Sequence, residues 1–99
     1  MSGIKNILKC VGFQWDKGNV QKSWNKHKVS PAECEQVFFN SPLLILDDAE
    51  HSKKEERFFA LGKTDSQRLL FVSLTLRENL MRVISARDMH RKERKRYLS

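Results

Sequence analysis

The sequence predicts an α+β fold: a small antiparallel sheet of about four to five strands, with two N-terminal helices and one C-terminal helix. Apolar residues follow a helical spacing up to about residue 39 and a period of two from about residue 43 to residue 86. The later strands are joined by short connections, which favour antiparallel neighbours. The 99 residues suffice for a single domain with one core, and residues 1–10 carry so little pattern that we interpret them as an N-terminal extension.

The first helix follows a short strand. Phe13-Gln14-Trp15 alternates apolar and polar side chains, which predicts the strand. Asp16 is a good N-cap for a helix that ends near Lys28, although Gly18 weakens its first turn. One stripe of this helix is expected to face the core, and it consists of Val20, Trp24 and His27.

The second helix has the clearest start signal in the chain. Ser30 can cap it, Pro31 is tolerated at its first position, and Glu33 completes a capping box. The Asn-Ser-Pro sequence at residues 40–42 is expected to end it. The side chains that it should present to the core are Cys34, Val37 and Phe38.

Four strands are predicted after the second helix, at residues 43–46, 57–61, 70–76 and 80–86. A polar loop separates the first two, and Gly62 is expected to end the second. The third strand has the longest alternation, and its expected core face consists of Leu70, Val72, Leu74 and Leu76.

The last helix is predicted to start at a second capping box, Ser85-Ala86-Arg87-Asp88, and to run to about Tyr97. The side chains at a shared helical spacing are Ala86, His90, Glu93 and Tyr97. The basic side chains expected to point in other directions are Arg91, Lys92, Lys95 and Arg96.

The formal net charge of +7 is unevenly distributed along the chain. Residues 1–28 carry +5, residues 29–86 carry −2 and residues 87–99 carry +4. If the two basic ends meet in space, they form a cationic surface suited to RNA or DNA. An ordinary solvated face that keeps the protein soluble explains the charge equally well.

Several classes of protein find no support in the sequence. No apolar run is long enough for a transmembrane helix, and the first ten residues do not resemble a signal peptide, so we expect a cytoplasmic protein without membrane contact. The two cysteines suggest no disulfide framework, and the three histidines stand alone. Since Gly-rich phosphate loops are also missing, we expect no metal and no cofactor. Counting residues does not exclude a Ser or Cys hydrolase, but nothing places a nucleophile beside a base.

The remaining polar residue types suit RNA cleavage without a metal. RNA supplies its own nucleophile, the 2′-OH, so the protein must take up that proton, neutralise charge on the phosphate and protonate the leaving 5′-oxygen. The candidates on elements expected to be neighbours are Arg57, Arg77, Arg87, His90, Glu93 and Tyr97. Each has an ordinary structural interpretation too: Glu93 in a surface ion pair, Tyr97 as a core aromatic, and His27 as a half-buried histidine.

Taken together, the motifs resemble those of the BrnT toxins, the ribonuclease halves of bacterial type II toxin–antitoxin pairs. The resemblance covers about residues 12–97. The segments that carry it are Phe13-x-Trp15-Asp16, Lys26-His27-x-Val29-Ser30, Val37-Phe38, His51-Ser52-x-x-Glu55-Glu56-Arg57-Phe58, Gly62-x-Thr64, Leu70-Phe71-Val72, Thr75-x-Arg77, Arg82-Val83-Ile84-Ser85-Ala86-Arg87 and Glu93-Arg94-x-x-Tyr97.

The resemblance implies a RelE-like fold and a metal-independent endoribonuclease that arrests translation. It also implies a small BrnA-like antitoxin of ribbon-helix-helix type, which masks the toxin and through which alone the complex contacts operator DNA. The positions that match the family's functional residues are Lys26, His27, Glu56, Arg57, Arg77, Arg87, Glu93, Arg94 and Tyr97. We add the neighbouring cations Lys28 and Arg91 to Lys26 and Arg94 as RNA-binding candidates.

Some positions depart from the family pattern. Lys28 replaces a common Gly, so a left-handed glycine cap is not expected at the end of the first helix. His90 replaces a small residue and adds an acid or base if it faces the site. A leading hypothesis follows, in which three arginines clamp phosphate and Glu93 transfers a proton with His27, His90 or Tyr97. The alternative is a non-enzymatic basic module that binds nucleic acid or an acidic protein.

Overall fold

The computed structural model describes residues 10–51 and 55–99, so the predicted extension lies outside the described residues except for Cys10. In the described part, three α-helices and five strands follow the predicted order, with one short 3₁₀ turn at Ala49–His51. The elements are β1 (Gly12–Gln14), α1 (Lys17–His27), α2 (Pro31–Phe39), β2 (Leu44–Asp47), β3 (Arg57–Lys63), β4 (Leu69–Arg77), β5 (Leu80–Asp88) and α3 (Arg91–Leu98).

The five strands form one mixed sheet in the order β1-β5-β4-β3-β2. Strands β2 to β5 are an antiparallel meander, as predicted, with short connections from β3 to β4 and from β4 to β5. Strand β1 pairs with β5 in parallel, which the long connection through α1, α2 and β2 to β4 permits. The α+β class and the number of strands are confirmed.

One face of the sheet carries the main core, which packs under α1 and α2. Its fully buried side chains include Val37 of α2, Phe58 of β3, and Leu70, Val72 and Leu74 of β4. Gly62 does not end β3, which continues to Lys63, and α2 packs against the sheet there. A Cβ atom at residue 62 would come within 2.6 Å of the Val37 Cγ1 atom, so the glycine permits this close approach.

Helix α1 does not contact the sheet through all of the predicted apolar stripe. Trp24 is 48% exposed and is not part of the core, whereas Ser23 is buried. The Ser23 hydroxyl accepts a hydrogen bond from the Ala86 backbone N–H at 3.2 Å, just beyond an irregularity where β5 has an extra residue against β4. The helix therefore contacts the sheet partly through a polar side chain, which satisfies the buried backbone N–H of Ala86.

Helix α1 ends at a C-cap residue that has a left-handed backbone conformation although it is not glycine. Lys28 adopts φ 54° and ψ 42°, and its N–H reaches the carbonyls of Ser23 and Trp24. Replacement of the common Gly thus leaves this cap in place. Ser30 and Glu33 form the predicted capping box at the start of α2, with both reciprocal hydrogen bonds present.

The second predicted capping box, at residues 85–88, is wrong. These residues belong to β5, and α3 begins only at Arg91 with His90 as its N-cap. Pairing with β4 decides the matter, because residues 85–88 continue the ladder opposite residues 70–73. A box sequence marks a helix start only when no strand partner competes for the backbone.

Candidate active site

A cleft of about 400 Å³ lies between α3 and the sheet face opposite α1 and α2. Helix α3 packs on this face through Tyr97, together with Met89 just before the helix and Leu61 of β3. The cleft opens beside that contact. The side chains that line it are Leu46, Phe59, Leu61, Phe71, Lys92, Glu93 and Arg96.

The register explains which side chains share this face. Residues opposite one another in neighbouring strands point to the same side of a sheet. Phe71 pairs with Leu61 on one side and with Arg87 on the other, which brings an aromatic ring and an arginine together. Phe59, two residues from Leu61 on β3, packs against Phe71 with 4.8 Å between the ring centroids and a tilt of 38° between the rings. Two phenylalanines thus form the apolar floor of the cleft.

Arg87 and Glu93 form a bidentate ion pair at the edge of this floor. The Arg87 Nη1 and Nη2 atoms donate to the two carboxylate oxygens of Glu93 at 2.8 and 2.9 Å. The guanidinium carbon also lies 4.1 Å from the centroid of the Phe71 ring, a cation–π geometry. Both charged side chains are more than three-quarters buried, so the guanidinium is held in one orientation.

The ion pair leaves one side of the Arg87 guanidinium unused. Arginine has five N–H donors, and here two go to Glu93 and a third goes from Nη1 to the Asp88 carbonyl at 3.1 Å. Among the described residues, no acceptor is found for the Nε–H and the second Nη2–H. These two donors lie on the same edge of the planar group, in the geometry that binds two phosphate oxygens.

Glu93 is held as a carboxylate. Its hydrogen bonds from Arg87, and after them the one from the His90 backbone N–H at 2.7 Å, lower the pKa of the Glu93 carboxyl. Glu93 also occupies the third position of α3, where a negative charge is favoured by the helix dipole. The carboxylate therefore positions Arg87 and lies at the cleft in a form that can accept a proton.

Further arginines lie on the same face, toward the other end of β4. Arg57 and Arg82 flank Thr75 in the register, and Arg77 lies two residues beyond Thr75. The distance along β4 from the Phe71 level to Arg77 is about 20 Å. Arg77 pairs with Glu55 at 3.0 Å, and Arg82 pairs with Asp16 at 2.8 Å.

The other sequence candidates on α3 have distinct surroundings. His90, the N-cap, is exposed beside Glu93, and Arg91 and Arg94 are exposed as well. Tyr97 is buried, and its hydroxyl donates to the Pro42 carbonyl at 2.6 Å. That burial raises the pKa of the Tyr97 hydroxyl, and the hydrogen bond fixes α3 to the segment before β2.

The candidates Lys26, His27 and Lys28 lie at the end of α1, on the face of the sheet opposite the cleft. Arg68 stabilises the C-terminal end of α1 through hydrogen bonds. Its five N–H groups donate to Asp88, to Glu33 and to the backbone carbonyls of His27 and Lys28. Arg68 chiefly lowers the pKa of the Asp88 carboxyl, and the charges of His27 and Arg94 add to that effect.

The floor and one wall of the cleft are not evident from the sequence alone. The sequence pattern does not distinguish Phe59 and Phe71, because only the strand register shows that they share a face with Arg87. The sequence pattern predicts that Lys92 and Arg96 point away from Glu93, yet both line the cleft beside it. Lys92 and Arg96 are four residues apart and so share one side of the helix, but only the packing of α3 on the sheet shows that this side borders the cleft.

Thiol and metal chemistry find no support among the described residues. Cys34 is buried in the main core, and burial raises the pKa of its thiol to about 12. Within residues 10–51 and 55–99, no three His, Cys, Asp or Glu side chains gather as ligands for one metal ion. None of the helices in those ranges has the length and apolar character needed to cross a membrane.

Comparisons with known proteins agree with this fold. The model of the family described as the ribonuclease toxin BrnT of a type II toxin–antitoxin system matches residues 15–93. The crystal structure of the Brucella abortus ribonuclease toxin BrnT superposes with a TM-score of 0.60 at 19% sequence identity, covering 81% of this chain and 97% of that one. A comparison with curated proteins finds no match.

Proposed function

The chain belongs to the BrnT family of ribonuclease toxins of type II toxin–antitoxin systems, and on that basis we propose that it cleaves RNA in the cleft beneath α3. The observation that carries the assignment to this cleft is the Arg87–Glu93 pair on Phe71, which leaves two N–H donors on one edge of Arg87 without an acceptor among the described residues. RNA cleavage needs such donors, because negative charge grows on the phosphate oxygens as the 2′-oxygen attacks.

We propose a metal-independent mechanism in which the RNA 2′-OH is the nucleophile. Arg87 binds the non-bridging oxygens of the scissile phosphate through Nε–H and Nη2–H. Glu93 accepts the 2′-OH proton, and a cationic acid protonates the 5′-oxygen as the P–O bond breaks. His90 is the proposed acid, since it lies at the N-cap three residues before Glu93. The products are a 2′,3′-cyclic phosphate and a 5′-OH.

We propose separate tasks for the remaining arginines. Arg57 and Arg77 lie too far along the sheet from Arg87 for all three to hold one phosphate, so they contact neighbouring phosphates along the face. Lys92 and Arg96 supply further positive charge on the α3 wall, with Arg91 and Arg94 nearby on the same helix. Tyr97 keeps α3 in place through its hydrogen bond to Pro42.

An antitoxin partner follows from membership in a toxin–antitoxin family. We propose that it is a BrnA-like ribbon-helix-helix protein that covers the cleft, that operator DNA is contacted only through it, and that the uncovered toxin inhibits translation. A cationic cleft with an aromatic floor suits both RNA and an acidic, partly apolar segment of a partner.

The test is cleavage of a defined RNA by purified protein in excess EDTA. Wild-type protein is expected to cut the RNA, and Arg87→Ala is expected to lose activity by about 100-fold or more, which is typical for loss of one transition-state donor. Lys95→Ala is the matched control, because Lys95 is an exposed cation of the same helix that does not line the cleft. Cleavage that stops with EDTA contradicts metal independence, and RNA that is bound but intact supports the non-enzymatic alternative.

A further inference from the structure

The outward face of α1 is a cationic surface separate from the cleft. At 100° per residue, its exposed side chains cover more than half of the helix circumference. They are Lys17, Gln21, Lys22, Trp24, Asn25 and Lys26, and the cap residue Lys28 is exposed beside them. Helix α1 contains no acidic residue, and within the described residues none of its lysines, nor Lys28, forms an ion pair.

Trp24 is the one large aromatic side chain on this face. It is 48% exposed, and the Nζ atom of Lys28 lies 5.4 Å from the centroid of its ring. A half-exposed tryptophan ring beside a cation is a surface on which a nucleic-acid base can stack. The core does not need the ring, since the buried contact of α1 at this point is made by Ser23.

The surroundings of Trp24 favour RNA over a protein as the occupant. A protein interface requires a continuous apolar centre of several residues. The other exposed side chains on this face of α1 are Lys, Gln and Asn. Isolated aromatic stacking among lysines is the arrangement by which proteins hold single-stranded nucleic acid without reading its sequence.

We propose that this face of α1 is a second RNA-binding surface, which holds single-stranded RNA by stacking one base on Trp24 and by phosphate contacts to the α1 lysines. The proposal rests on RNA being the substrate. Because α1 and the cleft lie on opposite faces of the sheet, one nucleotide cannot contact both. An RNA that reaches both surfaces spans on the order of ten nucleotides, so the second surface acts only on long substrates.

The experiment measures binding of a fluorescein-labelled 15-nucleotide 2′-O-methyl oligouridylate by anisotropy, since this RNA lacks the nucleophile and stays intact. Trp24→Ala is expected to weaken binding about tenfold, and Trp24→Phe to retain most of it. The double variant Lys22→Ala/Lys26→Ala is expected to reduce the slope of the logarithm of the binding constant against the logarithm of salt concentration by about 1.4 in magnitude. Controls are Phe39→Ala, which removes an aromatic ring that is 81% exposed, and Lys63→Ala/Lys95→Ala, which removes two charges elsewhere.

Cleavage kinetics separate this proposal from the proposed function. With a cleavable long RNA, Trp24→Ala is expected to raise KM about tenfold with kcat unchanged, while kcat/KM for a tetranucleotide stays at the wild-type value. Equal binding by Trp24→Ala, the lysine double variant and the controls overturns the second surface, even if wild-type protein cuts RNA. Conversely, tight binding that depends on Trp24 without any cleavage by wild-type protein upholds this surface and overturns the ribonuclease site.

Discussion

Replacement of Glu93 by Gln tests the central ion pair with almost no change in side-chain size. In the wild type, Oε1 accepts from Arg87 Nη1 and from the His90 N–H, and Oε2 accepts from Arg87 Nη2. A Gln retains one acceptor oxygen and places an NH₂ group against an Arg87 N–H. The variant therefore loses one hydrogen bond and leaves the guanidinium without its counter-charge.

The magnitude follows from these contacts. Loss of a charge-assisted hydrogen bond in a pair that is more than three-quarters buried lowers the free energy of unfolding by about 1–2 kcal/mol. The effect on activity is larger, because a general base contributes about 10²–10⁴-fold to a rate. We expect Glu93→Gln to lower kcat by at least about 100-fold and to raise KM by less than about tenfold.

The assay is single-turnover cleavage across a pH series, together with urea unfolding. Because Arg87 lowers the folded-state pKa of Glu93, this pair stabilises the fold above the unfolded-state pKa of a glutamate, and its contribution is lost as pH falls through the folded pKa. In Glu93→Gln, the free energy of unfolding is expected to lose the contribution that falls with pH in the wild type. The decrease of the cleavage rate at low pH is expected to disappear as well. Retention of more than about a tenth of the wild-type kcat refutes the role of Glu93 as base.

Three further predictions concern the scaffold. Arg68→Lys is expected to lower the free energy of unfolding by about 2–3 kcal/mol in urea denaturation, because an ammonium group cannot replace the five donated hydrogen bonds; a loss below about 0.5 kcal/mol contradicts this network. Gly62→Ala should destabilise by about 1–3 kcal/mol in the same assay, since its Cβ would overlap Val37, and a neutral effect means that α2 shifts freely. Lys28→Gly should stabilise the protein by about 0.5–1 kcal/mol and so raise its melting temperature, because glycine adopts the left-handed backbone of residue 28 without strain. A lower melting temperature shows that loss of the Lys28–Trp24 contact outweighs the relief of backbone strain.

The fold was largely predictable because its elements carry strong local signals. The capping box at Ser30 and the alternation in β4 both appear as expected. The last helix start was not predictable from local pattern, since residues 85–88 satisfy a capping box and also fit a strand. Only the pairing with β4 distinguishes the two, and pairing is a long-range property.

The candidate site was predicted in part for the same reason. Arg87 and Glu93 are six residues apart across a tight strand-to-helix junction, so their proximity is nearly local. Phe71 reaches them through strand register, which a single sequence does not specify. Charge alone groups Lys26 and His27 with α3, whereas α1 packs on the face of the sheet opposite the cleft.

The most direct test of the account is the cleavage of a defined RNA that carries one 2′-deoxynucleotide on the 5′ side of the mapped cut. The reaction is run with wild-type protein in excess EDTA, and fragment ends are identified by mass spectrometry. Attack by the RNA 2′-OH predicts a 2′,3′-cyclic phosphate end on the all-ribose RNA and no cut at the deoxy position. Cleavage that persists at the deoxy position contradicts the account.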